Sequence, residues 1–192
     1  MLEEEYETRR RLPRRLRSPE EPEAPFSYML RDARIADLPH ILAIYNHYVA
    51  NSTVTFDEQP TRLRELRAKF QHLVKLGMPY LVAESPSGGI LGYAYVAPWR
   101  ERAAYRYTGE SSIYLGPAAT GKGLGRVLLA ELIERSRAVG IKELIAVIAD
   151  QGAEASIALH ESFGFREIGR MGRVGYKFER WLGTILLQKS LR

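Results

Sequence analysis

The chain has 192 residues, of which 45% are hydrophobic and 27% charged, with a formal charge of +5 at pH 7 and no cysteine. This composition predicts one globular domain with a full core. The lack of cysteine excludes disulfides, a thiolate nucleophile and a zinc–sulfur site, and no apolar run is long enough to cross a membrane. The charge is too small and too dispersed to indicate nucleic-acid binding. We therefore expect a cytoplasmic protein with no metal, no membrane contact and no nucleic-acid partner.

Residues 1–25 differ in composition from the rest of the chain. An acidic run from Glu3 to Glu7 precedes an arginine-rich run from Arg9 to Arg17, and a Pro/Glu segment follows from Ser18 to Pro25. Because few of these residues could enter a core, we expect a disordered charged extension over residues 1–25 and one folded domain over residues 26–192.

Hydrophobic periodicity and turn signals divide the rest of the chain into strands and helices. The near-continuous apolar run Glu143–Ala149 predicts a strand that is buried on both faces and runs parallel to Ser112–Leu115 through a helical crossover. The full order predicts a mixed α/β fold with one βαβ unit. In chain order the predicted elements are a strand (Phe26–Arg34), a helix opening at Ala36-Asp37, a loop (Asn51–Pro60), a helix (Thr61–Leu76), strands (Tyr80–Glu84 and Ile90–Ala97), a loop (Pro98–Gly109), a strand (Ser112–Leu115), a helix (Leu124 to about Ala138), a strand (Glu143–Ala149), a helix (about Ala153 to Phe163) and strands (Phe165–Val174 and Trp181–Lys189).

A glycine-rich turn joins the strand that ends at Leu115 to the helix that follows it. Gly121, Gly123 and Gly125 alternate, so three backbone units carry no side chain between them and a ligand. Bare amides at a helix N-terminus, with Arg126 and a lysine beside them, favour an anion. We therefore predict that a phosphate or pyrophosphate binds at this turn.

Three phosphate-binding motifs are candidate interpretations of this turn, and the fourth interpretation is a plain glycine turn that binds no ligand. Gly116 to Gly123 nearly matches the P-loop pattern G-x-x-x-x-G-K-[ST], but Gly123 stands where a hydroxyl would hold magnesium. The dinucleotide pattern G-x-G-x-x-G begins at Gly121 and meets Arg126 at its last glycine. The third is the acetyltransferase pyrophosphate loop [QR]-x-x-G-x-[GA], which reads Thr120 to Gly125 here, with Thr120 in place of the usual first residue.

That third motif is typical of the GCN5-related N-acetyltransferase superfamily, which the chain resembles over roughly residues 28 to 191. The resemblance implies the N-acetyltransferase fold: a mixed, mostly antiparallel central sheet with helices on both faces and the βαβ unit around the pyrophosphate loop. Ala155–Phe165 looks like the family's coenzyme-side helix with its terminal Gly-Phe. The segments that resemble the phosphinothricin and methionine-sulfone N-acetyltransferase branch are Ile41–Asn46, Pro98-Trp99-Arg100, Glu110 and Val174–Trp181.

The resemblance implies acetyl-CoA as co-substrate, with its pyrophosphate on the glycine turn and its pantetheine beside the preceding strand. Two positions depart from the branch. Ala153 replaces an asparagine that faces the coenzyme, so one hydrogen bond is lost, and Gly109 replaces a β-branched residue before Glu110. The implied coenzyme-binding residues are Ile113, Tyr114, Leu115, Gly121, Lys122, Gly123, Leu124, Gly125, Arg126, Ala153 and Ser162.

Acetyl transfer from a thioester to an amine needs an acceptor for the ammonium proton, and Glu110 is the candidate base, acting directly or through a water. Backbone N–H groups near Leu115 would polarise the thioester carbonyl. His160 stands where many superfamily members place a tyrosine that protonates the departing thiolate. It either moves that proton as an imidazolium or only packs against the coenzyme.

The amine pocket is expected between the first helix and the segment Pro98–Ser112. Arg100 and Arg102 suit carboxylate or phosphinate oxygens, because a guanidinium bonds them in pairs. Tyr176 and Lys177 are further candidates for its wall. The resemblance implies these substrate-binding residues: Tyr45, Arg100, Glu101, Arg102, Glu110, Ser111 and Ser112.

The leading hypothesis is an acetyl-CoA-dependent enzyme that transfers the acetyl group directly to the α-amino group of a small amino-acid analogue. The branch resemblance implies a substrate of the phosphinothricin or methionine-sulfone type, a link to antibiotic or herbicide resistance, and a homodimer. The alternatives are acetylation of a protein N-terminus or a polyamine, and a non-catalytic module that binds acyl-CoA. Glu110 and the cationic loop around Arg100 favour the leading hypothesis.

Overall fold

A computed structural model describes residues 26–192 of the chain. The predicted extension over residues 1–25 lies outside the described residues. The strands and helices follow the predicted order: β1 (Met29–Asp32), α1 (Leu38–Asn51), α2 (Leu63–Lys75), β2 (Tyr80–Glu84), β3 (Ile90–Pro98), β4 (Thr108–Leu115), α3 (Leu124–Ala138), β5 (Glu143–Ala149), α4 (Glu154–Ser162), β6 (Arg166–Lys177) and β7 (Arg180–Ser190).

A seven-stranded sheet in the order β1-β2-β3-β4-β5-β7-β6 forms the centre of the domain. Neighbouring strands are antiparallel except β4 and β5, which are parallel and connected through α3. Helices α3 and α4 pack against one face of the sheet, and α1 and α2 pack against the other. The predicted mixed sheet, with helices on both faces and one βαβ unit, is therefore confirmed.

The buried stripe of α3 explains why this helix covers the sheet. Leu124, Leu128 and Leu132 recur every four residues, and each of these side chains is fully buried. That spacing places them on one face of a helix. On the other side of the sheet, Leu66 and Phe70 of α2 occupy the same kind of position in a second core.

The pairing between β4 and β5 differs from the prediction. The sequence places the parallel contact at Ser112–Leu115, whereas the two strands pair only over Thr108–Glu110, against Glu143–Ile145. Immediately after this point the Ser111 hydroxyl donates to the Ile145 carbonyl at 3.3 Å, so a side chain takes the acceptor that a continuing ladder would use. The strands then diverge, and the end of β4 lies along an open cleft in the sheet.

The strands of the last hairpin extend further towards each other than predicted. The sequence did not indicate the turn between them, because this turn has none of the usual turn residues. β6 runs to Lys177 and β7 begins at Arg180, so Phe178 and Glu179 form a two-residue turn. Both have positive φ, +51° and +59°, the region that favours glycine. β1 is shorter than predicted, since only Met29–Asp32 pairs with β2. Within residues 26–192, no helix has the length and apolar character needed to cross a membrane.

Candidate active site

The glycine turn presents open backbone at the N-terminus of α3. Gly121 and Gly123 have φ of +73° and +77°, and a Cβ atom on either residue would meet nothing within 4 Å. Gly123 caps α3, and the first amides of a helix have no partner inside it. Gly125 differs, because a Cβ there would lie 3.4 Å from Leu159, so this glycine serves close packing with α4. Two of the three predicted glycines therefore face the space where an anion would bind.

Charged side chains beside the turn are held in place by their neighbours. The Arg126 guanidinium donates to the Ser162 hydroxyl at 3.0 Å and lies 4.9 Å from the Phe163 ring, which ties the turn to the end of α4. The Lys122 ammonium lies 4.9 Å from the Phe26 ring. These contacts bring together the predicted coenzyme residues Arg126 and Ser162, whereas Lys122 packs on Phe26. Ala153 caps the other end of α4 without a side-chain bond.

The divergence of β4 from β5 exposes a row of backbone groups. Gly116 N–H donates to Leu91 O at 2.8 Å, and the register pairs Tyr114 with Tyr93. In an antiparallel ladder these pairs alternate, so the amides of Ile113 and Leu115 point to the other side, towards β5. The register of the described domain gives them no strand partner there. Tyr48 of α1 closes the end of the row, donating to Leu115 O at 2.7 Å.

The side chains of β4 alternate between the two faces of the sheet. Tyr114 packs against α1 on the same face as Glu110 and Ser112, with its ring centroid 5.3 Å from that of Tyr45. Ser111 is buried on the opposite face, where its hydroxyl bonds the Ile145 carbonyl. The structure therefore groups Tyr45, Glu110 and Ser112 as predicted and separates the Ser111 side chain from them.

Glu110 is half-buried, and burial raises the pKa of its carboxyl group above the usual value. The positive charges of Lys69 and Arg100 act in the opposite direction and lower that pKa. Lys69 comes from α2, and its ammonium donates to the Tyr95 hydroxyl at 2.7 Å. Burial makes this carboxyl group a stronger proton acceptor than an exposed glutamate, and the two cations favour its ionised form.

A cationic groove of about 1260 Å³ runs between α2 and the loop after β3. Arg100 lies in this loop, with its guanidinium 4.7 Å from the Trp99 ring centroid. The groove is lined by the predicted pocket residues of the loop and also by basic residues of α2. Its ionisable lining residues are Lys69, His72, Arg100, Glu101, Arg102, Tyr105 and Arg106.

His160 is placed differently from an exposed proton donor. Its side chain is buried against Phe165, with ring centroids 4.9 Å apart, and burial lowers its pKa below the usual value. Nδ1 donates to the Ser156 carbonyl at 2.8 Å, because a carbonyl oxygen can only accept. The structure therefore places the ring inside the domain, between Phe165 and the backbone of its own helix. Both roles considered for His160 towards the coenzyme remain predictions.

Two residues near the site were missed by the sequence analysis. Asp57 accepts a hydrogen bond from the Tyr45 hydroxyl at 2.6 Å, and Lys69 influences Glu110. Asp57 lies in a loop without periodicity, and Lys69 is one of several basic residues on an exposed helix face. Neither had a sequence signal beyond its residue type. Among the described residues, no three His, Asp or Glu side chains lie together as a metal site would require.

Family comparison decides the class of this site. A family model described as an acetyltransferase (GNAT) domain matches residues 30–186. The chain belongs to the GNAT acetyltransferase family. A phosphinothricin N-acetyltransferase from Alcaligenes faecalis is 45% identical over 162 residues, which cover 84% of this chain and 82% of the relative. An L-methionine sulfoximine/L-methionine sulfone acetyltransferase from Pseudomonas aeruginosa is 45% identical over 165 residues, covering 86% and 95%.

A solved GNAT structure agrees with this assignment. The phosphinothricin acetyltransferase from Sinorhizobium meliloti, in complex with acetyl-CoA, superimposes with a TM-score of 0.81 at 44% identity and covers 85% of this chain and 88% of its own. GNAT enzymes use acetyl-CoA as co-substrate. The chain is thus an acetyl-CoA-dependent N-acetyltransferase, which confirms the predicted family, enzyme class and co-substrate.

Proposed function

We propose that this GNAT enzyme acetylates the α-amino group of a small amino-acid analogue of the phosphinothricin or methionine-sulfone type. The observation that carries the proposal is the position of Glu110. Its half-buried carboxyl group lies on the same face of β4 as Ser112, and the positive charge of Arg100 acts on it. A base beside an anion-binding arginine matches a substrate that carries an amine and an acid group together. The names of the similar enzymes from A. faecalis and P. aeruginosa agree with this substrate class.

The proposed chemistry is one direct transfer. Glu110 accepts a proton from the substrate ammonium, directly or through a water, and the freed nitrogen attacks the thioester carbonyl carbon. The N–H groups of Ile113 and Leu115 donate to the carbonyl oxygen as negative charge develops on it. The C–S bond breaks as the new C–N bond is completed. The attached nitrogen releases its second proton to solvent, and the departing thiolate takes one proton from solvent. We assign His160 no proton transfer, because its ring is buried and burial lowers its pKa.

The coenzyme would be held at three places. The amides at Gly121, Gly123 and Leu124 bind its pyrophosphate, the free edge of β4 pairs with its pantetheine, and Arg126 with Ser162 closes the site from α4. Tight positioning of the two reactants supplies most of the rate, because aligned reactants avoid the entropy cost of an encounter.

Replacing Arg100 with Ala should raise KM for methionine sulfone by about 10-fold or more and leave KM for its uncharged amide nearly unchanged. A hydrogen bond to a charged group contributes about 1.5–3 kcal/mol, and only the acid form of the substrate loses it. Steady-state kinetics on the two substrates measures the contrast. Arg64→Ala is the matched control, since this exposed arginine of α2 does not line the groove. Equal impairment on both substrates would contradict the amino-acid pocket.

A panel of amines tested with acetyl-CoA, reading released thiol, examines the whole proposal. It should contain phosphinothricin, methionine sulfone, a peptide with a free N-terminus and a polyamine. We expect the two amino-acid analogues to be turned over with the highest kcat/KM. Preference for the peptide or the polyamine would replace the substrate class, and a protein that binds acetyl-CoA without turnover of any amine would be a binding module. Turnover of phosphinothricin would remove its ammonium charge, which is the chemical basis of the proposed resistance role.

We further propose a homodimer through the edge strand β6. This strand is exposed along almost its whole length and carries apolar side chains that a monomer would leave in water. Its exposed apolar residues, with those of the turn and β7, are Ile168, Met171, Val174, Tyr176, Phe178 and Trp181. The cysteine-free chain suits the reducing cytoplasm, which is where we place this enzyme.

Val174→Glu should convert the dimer to a monomer, because it buries a charge in the proposed interface. Sedimentation velocity would measure the mass of each variant against the 21.8 kDa of one chain. The control is Val139→Glu, a similarly exposed valine at the end of α3. A wild-type protein that sediments as a monomer would contradict the proposal.

A further inference from the structure

Lys177 is a buried lysine with no acidic partner. Only 3% of its surface is exposed, and no carboxylate of the described domain lies within ion-pair distance of it. Its ammonium instead donates to two backbone carbonyls, Ser52 O at 2.9 Å and Thr55 O at 2.8 Å. Burial lowers the pKa of Lys177, while the more distant charges of Asp57 and Glu58 act in the opposite direction. The ammonium is thus bonded directly to backbone and only influenced at longer range by carboxylates.

Both carbonyls belong to the loop that follows α1, residues 52–57. The Thr53 hydroxyl donates to Gln151 O at 2.7 Å, which ties this loop to the segment between β5 and α4. Gly175, two residues before Lys177, packs directly under the Phe56 ring, and a Cβ atom there would overlap the ring. The end of the β6–β7 hairpin and loop 52–57 are therefore joined at two points.

The far end of loop 52–57 reaches the amine site. Thr55 and Asp57 both bond the Tyr45 hydroxyl, at 3.0 and 2.6 Å, and Tyr45 packs edge-on against Tyr114 on the Glu110 face of β4. The charges of Asp57 and Glu110 both contribute to raising the pKa of the Tyr114 hydroxyl, after the larger effect of its burial. Whatever fixes loop 52–57 fixes this wall of the pocket.

The strained backbone next to Lys177 sets the direction of the lysine side chain. The turn residues Phe178 and Glu179 both occupy the left-handed region, which is costly for residues other than glycine, and most of all for a bulky one. The Lys177 ammonium lies 5.0 Å from the Phe178 ring centroid. The tight turn thus ends β6 at Lys177 and leaves the lysine directed into the loop.

We propose that Lys177 is a positioning residue, whose ammonium fixes loop 52–57 so that Tyr45 and Asp57 form the amine-facing wall of the active site. It acts through the loop and does not itself line the pocket. This inference rests on the proposed function for its kinetic consequence. Its structural part, the fixing of the loop, stands independently of the substrate.

The decisive variant is Lys177→Met, which keeps the length and removes the donors. We expect kcat/KM for the amine to fall by about 10–100-fold, since a displacement near 1 Å can cost about that much, while KM for acetyl-CoA changes less than about twofold. Amide hydrogen exchange should become faster over residues 52–57 and stay unchanged in α3. Gly175→Ala should produce the same changes in kinetics and hydrogen exchange. It displaces Phe56, which forms the second contact between the hairpin and the loop, and it leaves Lys177 intact. Lys142→Met, an exposed lysine, is the control and should behave as wild type.

The outcomes are distinct. A lower unfolding temperature with both KM values and the exchange of residues 52–57 unchanged would show a purely structural lysine and overturn the proposal. Equal rises in KM for amine and acetyl-CoA would also overturn it. If the wild-type enzyme turned over no amino-acid analogue, the proposed substrate class would fail, and faster exchange at residues 52–57 in Lys177→Met would still support the role of Lys177.

Discussion

Replacing Glu110 with Gln should lower kcat by about 10²–10⁴-fold, the usual contribution of a general base. The substitution keeps the shape of the side chain and removes its ability to accept a proton. Affinity for acetyl-CoA should barely change, because the carboxyl group projects from the α1–α2 face of β4, whereas the coenzyme is proposed to pair with its free edge. Steady-state kinetics and calorimetry would separate the two effects. Glu161→Gln, at an exposed glutamate of α4, should retain wild-type turnover.

The pH dependence gives a second test of the same residue. Since burial raises the pKa of Glu110, the wild-type rate should fall on the acid side at a higher pH than for an exposed glutamate. Removing the Arg100 charge should move this limb to still higher pH, because that cation favours the ionised carboxylate. The defect of Glu110→Gln should shrink as pH rises, when more of the amine is already neutral. Full activity of Glu110→Gln at pH 7 would discard the base assignment.

Replacing Gly123 with Asp should weaken acetyl-CoA binding by at least about 100-fold. Gly123 has φ of +77° and open space around its Cβ position, so the new carboxylate would project where the pyrophosphate is proposed to bind. It would repel the phosphates and strain the amides that meet them. Isothermal calorimetry with acetyl-CoA measures the loss directly.

A matched variant separates ligand repulsion from backbone strain. Gly140 lies just beyond the other end of α3, has φ of +89°, and also has nothing within 4 Å of a Cβ. Gly140→Asp therefore imposes a similar backbone penalty far from the glycine turn. It should lower the unfolding temperature by about as much as Gly123→Asp and leave acetyl-CoA affinity intact. Unchanged affinity in a folded Gly123→Asp protein would remove the pyrophosphate assignment.

Local patterns were sufficient to predict the elements that depend on local chemistry. The four-residue spacing of Leu124, Leu128 and Leu132 predicted α3, and the apolar run Glu143–Ala149 predicted a buried strand. The alternating glycines indicated the anion turn, although the separate role of Gly125 depends on Leu159, a residue far away in the chain. Each of these predictions uses residues within one element and its flanks.

Features that depend on distant contacts could not be predicted. Ser111 and Ser112 look equivalent in the sequence, and only the strand register assigns them to opposite faces. The tight turn at Phe178 and Glu179 contains no glycine that would have predicted it. The carbonyl groups that Lys177 bonds lie more than 120 residues earlier. The burial of His160 likewise depends on Phe165 and the surrounding core, so its protonation state had no local signal.

The divergence of β4 from β5 divides the sheet into a four-stranded and a three-stranded half. Within the sheet, three residue pairs, Thr108–Glu110 against Glu143–Ile145, join the two halves. In the proposed site, acetyl-CoA would lie along the free edge of β4, with its phosphates on α3 and its other side against α4, and would so contact both halves. Its binding free energy therefore adds to the resistance of both halves to unfolding, about 2.7 kcal/mol at a ligand concentration 100 times Kd. The place where the fewest residue pairs join neighbouring strands of this sheet is therefore also the place where the co-substrate is proposed to bind, so filling the site would link the two halves more firmly.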